Sequence, residues 1–513
     1  MSVKPKKTAE FKPGLLEKFS ESLFPAALDR RRTAALKPAT SLRIDVARTT
    51  NECGEIAATA PKKIAASNDL AVDSATQTVR NQYESMPYPF RNPEDDKTQI
   101  LTTYMDDLPY VNYRCYRGRR NFDKSFRVLV AGGGTGDAFV YLAAQIHRLP
   151  KAHIAYVDLS AESMKIAKAR LHNQSIRMNA PRMKAICSYH HASLLDVGSL
   201  DIGTFDYINC SGVLHHLADP LEGLRALKNV LNPGGAMGIM VYGQIGRTSI
   251  YAVQDMMRIV NRGVEDPERK IRNTRLLLKN LPSINTHRIS NRWVDVPNSV
   301  ELYDLFLHSR DRAYTIPQLY EWIESAGLYF NDFSPTQKPF VDHRTAPVRL
   351  SRKLNERLSK MSDRDAAAAY ELIFGCTNKF EFHLSDSPDA DMDIHDEEAI
   401  PFFGTFAVRF ALRDRLVQLT PQEAGKRIAV DIEGPVHRVS TRLETTSLAI
   451  SAYHLIDGRR TMREILAKLR LQYPGVNLET LRADLFKDLK PAIDSYTIHF
   501  MHPSGNPDNL VRV

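Results

Sequence analysis

Cysteine is scarce and unpaired in pattern: five residues, at 53, 115, 187, 210 and 376, with no C-x-x-C spacing. An odd number so placed excludes a disulfide scaffold and a zinc ribbon, and fits a reducing compartment. Long apolar runs are absent. None reaches the about 18 residues that a membrane helix needs, so no membrane insertion is expected. Lys4, Lys6, Lys7, Lys12 and Lys18 crowd the start of the chain, but no apolar stretch follows them. No secretory leader is expected, and the chain is expected in the cytoplasm. Neither sign of charge dominates: 69 basic residues face 60 acidic ones, a net +9. With no RRM, zinc-finger or KH pattern, nucleic acid is not an expected partner. What is present is ordinary for a globular protein: 43% hydrophobic and 25% charged residues. The 513 residues can bury a large core without metal or disulfide.

The pattern divides the chain. Residues 1–77 are basic and rich in Ala, Ser, Thr and Pro, and read as a partly flexible extension. From residue 78 to 247 short apolar strands alternate with helices. Arg127–Ala131, Ile154–Asp158, Ala185–Ala192, Phe205–Cys210 and Met237–Tyr242 read as strands, with Ser160 as the N-cap of a helix from Ala161. Asn232-Pro233-Gly234-Gly235 reads as a turn before the last of these. This alternation predicts a parallel sheet covered on both faces. Residues 248–317 are helical and polar, an insertion above the sheet. Residues 318–385 return to the domain that carries the sheet, with Leu328–Phe333 and Phe380–Leu384 as closing strands. An acidic linker is expected over 386–400. The last unit, 401–513, mixes strands (Phe406–Phe410, Ile428–Ile432) with three helices, and its Asp457-Gly458 turn and Thr461 cap suggest a winged-helix-like α+β accessory domain.

The sharpest signal is Val128-Leu129-Val130-Ala131-Gly132-Gly133-Gly134-Thr135-Gly136-Asp137. A strand enters a glycine turn that opens a helix, so a ligand can approach the backbone and meet free N–H groups. A dinucleotide site wants glycine at the position of Asp137, where a carboxylate would repel pyrophosphate. The spacing here places glycines at 132, 134 and 136 and suits a ligand without phosphates. Asp158 ends the second strand, where an acid can accept both ribose hydroxyls.

These residues resemble the class I S-adenosylmethionine-dependent methyltransferases. The family's glycine turn matches Gly132, Gly134 and Gly136. Its ribose acid matches Asp158, its adenine loop Ala192-Ser193-Leu194-Leu195-Asp196, and its fourth strand Phe205 through Gly212 to Leu217. One departure is Ala131, where many members carry an acid. The resemblance implies a Rossmann-like seven-stranded sheet and S-adenosyl-L-methionine as cofactor, held by Gly132, Gly134, Gly136, Asp158, Ser193, Leu194 and Gly212. Further segments are similar to multi-domain bacterial protein-lysine methyltransferases: Asn81-Gln82-Tyr83-Glu84 with Pro87-Tyr88-Pro89, Tyr242-Gly243-Gln244-Ile245-Gly246-Arg247, and Asp304-Leu305-Phe306-Leu307-His308 with Asp311-Arg312-Ala313-Tyr314-Thr315. They imply a protein side chain as acceptor, lysine first.

Methyl transfer needs alignment of donor and acceptor, and a base only if the acceptor arrives protonated. His216, Tyr242 and Tyr83 are the candidate catalytic residues, because strand ends and the N-terminal segment converge there. His190-His191 and His215-His216 lack the helical spacing and third ligand of a metal site, so no metal is expected. Two other readings stay open: a small-molecule or natural-product methyltransferase, and a non-catalytic regulatory protein that keeps the fold. The basic helices of the insertion suit a large acceptor or a homodimer contact.

Overall fold

The computed structural model describes residues 74–290, 296–335, 337, 340–341, 350–388, 392–405, 412–433 and 438–505. The expected extension up to residue 73 and the strand expected at Phe406–Phe410 lie outside them.

Five parallel strands form the heart of the sheet: β1 (Phe126–Ala131), β2 (Ala152–Asp158), β3 (Cys187–His191), β4 (Phe205–Ser211) and β5 (Leu231–Gly243). A two-residue strand β6 (Ala313–Tyr314) pairs with the end of β5. β7 (Tyr329–Phe333) and β8 (Lys379–Ser385) close the far side, both in antiparallel pairings. The order is β3-β2-β1-β4-β5-β8-β7. The strands of 126–243 read from the sequence are all present, and so are the two expected closing strands, which pair with each other. One local expectation changes. Asn232–Gly235 does not precede the fifth strand but lies inside it, and the register slips from Phe205↔Leu231 to Tyr207↔Ala236. The extra residues bulge outward at Gly234, whose φ of +72° a glycine adopts without strain.

Helices cover both faces. α1 (Ser74–Ser85) and α2 (Leu108–Cys115) come first; α3 (Asp137–Ile146) and α4 (Ala161–Arg177) follow β1 and β2, and α5 (Pro220–Asn229) precedes β5. Ser160 caps α4 by accepting from the Ser163 N–H at 3.0 Å. α3 is buried over almost its whole length because its residues are apolar on every side, from Ala138 to Ile146 with one Gln145. Gln145 satisfies its amide inside the core, accepting from Leu108 N–H and donating to the Asp106 carbonyl.

The insertion starts directly at the end of β5. α6 (Gln244–Val260), α7 (Pro267–Asn280) and α8 (Ser299–Leu307) enclose an apolar cluster of their own, with Ile250, Val253, Ile271, Leu278 and Phe306. Met86, from the segment after α1, packs against it.

In the C-terminal region β9 (Ile400–Phe403) pairs antiparallel with β12 (Ile498–Met501), and β10 (Arg427–Glu433) forms a hairpin with β11 (Arg438–Glu444). The helices α9 (Ser447–Tyr453), α10 (Met462–Gln472) and α11 (Leu478–Asp494) follow the hairpin. Ile450, Leu485 and Phe500 join the same apolar cluster as Leu129 and Ile208 of the sheet. Acids of the 386–400 stretch are engaged: Asp386 accepts from Gly234 N–H, and Glu397 pairs with Arg463 and Arg482. Among the described residues no helix is long and apolar enough to cross a membrane.

Candidate active site

The glycine turn between β1 and α3 is shaped by backbone that only glycine takes easily. Gly132, Gly134 and Gly136 have φ of +69°, +52° and +100°. A Cβ on Gly132 would stand 2.3 Å from the Val213 side chain, and one on Gly134 2.6 Å from the Tyr88 carbonyl oxygen. Asp158, at the tip of β2, faces this turn. It accepts from Gly134 N–H at 2.7 Å and from Ser160 N–H at 2.8 Å, and burial raises its carboxyl above the usual range against those bonds. Each oxygen keeps a lone pair for a ribose hydroxyl. Ala192 N–H donates to the Asp158 carbonyl at 3.1 Å, which brings Ser193 beside the acid. The Ser193 side chain caps the short turn that follows by accepting from Leu195 N–H. Leu194 is placed differently: its side chain is buried in the core, so only its main chain is left for a ligand. Gly212, with φ of +79°, leaves β4 next to Val213 and so next to Gly132. The glycine cradle and the strand-end acid thus fit S-adenosylmethionine.

The N-terminal segment lies on this turn. Thr135 donates through its N–H to the Tyr88 carbonyl (3.3 Å) and through its hydroxyl to the Pro89 carbonyl (2.7 Å). Arg91 bonds Asp137 through both Nε and Nη2, at 2.8 and 2.6 Å. Glu84 accepts from the first N–H groups of α4, those of Ala161 and Glu162. Asp137, read from the sequence as a group that repels pyrophosphate, has a second duty here. With Arg170 and Asp96 it forms a buried chain of ion pairs that ties this segment to α4. Burial opposes its charge, yet Arg91 and Arg170 hold its carboxyl below the ordinary range.

The three candidate catalytic residues meet beyond the turn, and each has partners that sequence reasoning did not assign to the site. Tyr83 donates its hydroxyl to Asp304 at 3.2 Å and lies 3.2 Å from His308 Nε2. Tyr242 donates to the other Asp304 oxygen at 3.4 Å. His216 stacks on His308, with ring centroids 4.0 Å apart, and its Nδ1 donates to the Arg310 carbonyl at 2.7 Å. Burial pushes the His216 imidazole down to about 4 and that of His308 well below its ordinary value, so both are neutral. Burial lifts the Asp304 carboxyl to about 6. His215 is fully buried against Tyr242, with neither ring nitrogen hydrogen-bonded among the described residues. Arg247 lies over the Tyr242 ring at 3.6 Å and donates to Asp311 at 2.9 Å. The signal that finds Asp304 and His308 is their spacing of four residues at the end of α8. They stand 221 and 225 residues from Tyr83, so only the folded chain shows the meeting. The spacing argument against metal weighed only the adjacent histidine pairs. His216, Asp304 and His308 each offer a ligand atom within 4.8 Å of the others.

Sheet order, glycine turn and strand-end acid together define a Rossmann-like methyltransferase. A methyltransferase-domain model matches residues 129–237. The chain is 33% identical over 337 residues to the uncharacterized protein syc1184_c of Synechococcus sp., covering 64% of this chain and 76% of that one. It is 26% identical over 153 residues to a ubiquinone biosynthesis O-methyltransferase of Aromatoleum aromaticum; this match covers 29% of the chain and 59% of that enzyme. Among solved structures, PKMT2 of Rickettsia typhi in complex with AdoHcy superposes with a TM-score of 0.54 at 16% identity, over 78% of this chain and 76% of that one. The chain belongs to the class I S-adenosylmethionine-dependent methyltransferases and is an enzyme that uses S-adenosylmethionine.

Proposed function

We propose that the enzyme methylates a protein side chain, lysine first, with Gly132, Gly134, Gly136, Asp158, Ser193, the Leu194 main chain and Gly212 holding the donor. The observation that carries this reading is the convergence of Tyr83, Tyr242 and His216 on one buried acid, Asp304, next to the segment that lies on the glycine turn. The donor, when bound, supplies an electrophilic methyl carbon on sulfur. The chain's own work is to orient and to exclude water. Thr135 and Arg91 fasten the 83–91 segment over the turn. Tyr83 and Tyr242 offer hydroxyls to a polar end group, and the neutral His216 keeps Nε2 as an acceptor. A long, unbranched side chain with a polar tip suits such a site.

The charged insertion supports a large acceptor, since a small-molecule enzyme needs only a closed apolar site. The insertion carries a basic stripe of Arg258, Arg262, Arg269, Lys270, Arg272, Arg275 and Lys279. Arg275 donates to the Val296 and Pro297 carbonyls, and Arg258 and Arg272 pair with Asp255 and Asp266, which leaves Arg262, Arg269, Lys270 and Lys279 as the contact residues of this reading. We read the hairpin and helices of the C-terminal region as a winged-helix-like accessory unit. The test is incubation with methyl-labelled S-adenosylmethionine and fractionated lysate, followed by acid hydrolysis of the protein fraction. Label in methyl-lysine supports the reading. Label confined to small molecules or RNA refutes it.

A further inference from the structure

The cluster at the end of β4 and β5 holds one negative charge too many. Asp304 is 4% exposed, and among the described residues its hydrogen bonds come from two neutral phenols, Tyr83 and Tyr242. Arg247, the cation on the neighbouring helix, is already paired with Asp311, which Gln254 also contacts at 3.1 Å. The groups facing Asp304 are Tyr83 and Tyr88 from the N-terminal segment, Tyr242 from β5, Arg247 from α6, and His308 and Asp311 after α8, with His216 stacked behind His308. Both histidines are neutral, so two acids share one cation. A buried carboxylate left without a cation is costly. The site is therefore built to receive a cation.

Two cations compete for that role. A metal ion would use His216, Asp304 and His308, but the protons stand against it. His308 Nδ1 accepts from Arg310 N–H at 3.0 Å, which places the imidazole proton on Nε2, and that N–H points at the Tyr83 oxygen. A metal would have to displace this proton and separate two stacked rings. A primary ammonium needs no such change. It carries three donors for the Asp304 oxygens, a phenol oxygen and the bare His216 Nε2, and aromatic faces surround it.

We infer that Asp304 is the seat and proton acceptor of a protonated amine, held between Tyr83, Tyr242 and His216. This deepens the methyl-transfer reading and rests on it. The ammonium gives one proton to the Asp304 carboxylate, directly or with a phenol passing its own proton on. The freed nitrogen lone pair forms the new N–C bond as the S–C bond of the donor breaks and its electron pair stays on sulfur. The N-methylammonium product leaves with its remaining N–H protons, and Asp304 returns its proton to water. A carboxylate acceptor would be repelled here.

The test is calorimetric binding of Nα-acetyl-lysine amide, and of Nα-acetyl-norleucine amide, which lacks the ε-ammonium, to the full chain saturated with AdoHcy. Wild type should bind the lysine probe at least about tenfold more tightly than the norleucine probe, and Asp304→Asn should lose that preference, at the scale of one charged hydrogen bond. AdoHcy affinity of Asp304→Asn should stay unchanged, which also reports that the variant folds. The wild-type preference should fall as pH drops through about 6, because the carboxylate then takes a proton from solvent. Tyr242→Phe removes both an ammonium contact and a hydrogen bond that favours the ionised acid, so it should weaken the preference and move its pH limb upward. Equal binding of the two probes, or an unaltered preference in Asp304→Asn, overturns the inference. So does stoichiometric Zn2+ uptake that Asp304→Asn abolishes, which would mark a metal site. If wild type fails to bind AdoHcy, the methyl-transfer reading falls as well; AdoHcy binding without discrimination between probes removes only the inference.

Discussion

Arg170→Met should be the most damaging single change near the donor site that touches no ligand. The Arg170 side chain is 3% exposed and that of Asp96 4% exposed, and they meet at 2.7 Å. Arg170 also reaches Asp137 at 2.6 Å and the Thr135 carbonyl at 3.1 Å. Methionine keeps the stem and removes the guanidinium. Asp137 retains Arg91, so its loss is modest. Asp96 retains no cation among the described residues, and removing one partner of a buried pair costs about 3–5 kcal/mol. The orphaned Thr135 carbonyl adds about 1 kcal/mol. Chemical denaturation followed by circular dichroism should show this loss. Because Thr135 and Asp137 flank Gly136, calorimetry should also show weaker AdoHcy binding by the folded variant. Adding Asp96→Asn should recover part of the loss, on the order of 1–3 kcal/mol, since the stranded charge is gone. A loss below about 1 kcal/mol in Arg170→Met, or no recovery in the double variant, would show that Asp96 is solvated in the native state and that the chain of ion pairs does not fasten the N-terminal segment.

Three further outcomes follow from the same geometry. Gly134→Ala places a methyl group against the Tyr88 carbonyl at a backbone angle that costs an L-residue about 1–2 kcal/mol; AdoHcy affinity should fall steeply and thermal stability with it, and normal binding would mean the turn tolerates displacement of residues 88–89. Asp158→Ala should weaken AdoHcy binding about tenfold or more, and a folded variant with unchanged affinity would exclude Asp158 as the ribose acid. Asp106 is fully buried, with its carboxyl lifted to about 6 by burial against hydrogen bonds from Thr103, Asn209 and Tyr207. Its folded value lies above the unfolded one, so its stabilising protonation is complete below about pH 4 and lost as pH rises through 6. The stability of wild type relative to Asp106→Asn should therefore fall by roughly 2–3 kcal/mol between pH 4 and pH 7; a constant difference across that range would refute this.

The donor half of the site was legible in the linear chain because its chemistry is local. A left-handed glycine, a strand-end acid and an N-cap serine such as Ser160 act on backbone within a few residues, and alternating apolar runs report which strands are buried on both faces. Asp158 needed only the turn before it to be read. The acceptor half was not legible in this way. Asp304 and His308 stand out only as part of a segment similar to the protein-lysine methyltransferases, with no role assigned to either. Their meaning depends on α8 docking against β5 while Tyr83 arrives from the other end of the domain. Asp137 shows the same limit: its neighbours in sequence suggested only what it would repel, whereas Arg91 and Arg170 determine what it does. Leu194 shows it too, since the loop position was right and the burial of its side chain followed from packing. Backbone preferences are set by adjacent residues and survive in the sequence. The pairing of buried polar groups is set by which distant elements share a low-dielectric interior, and that is decided only when the helices of the insertion close over the sheet.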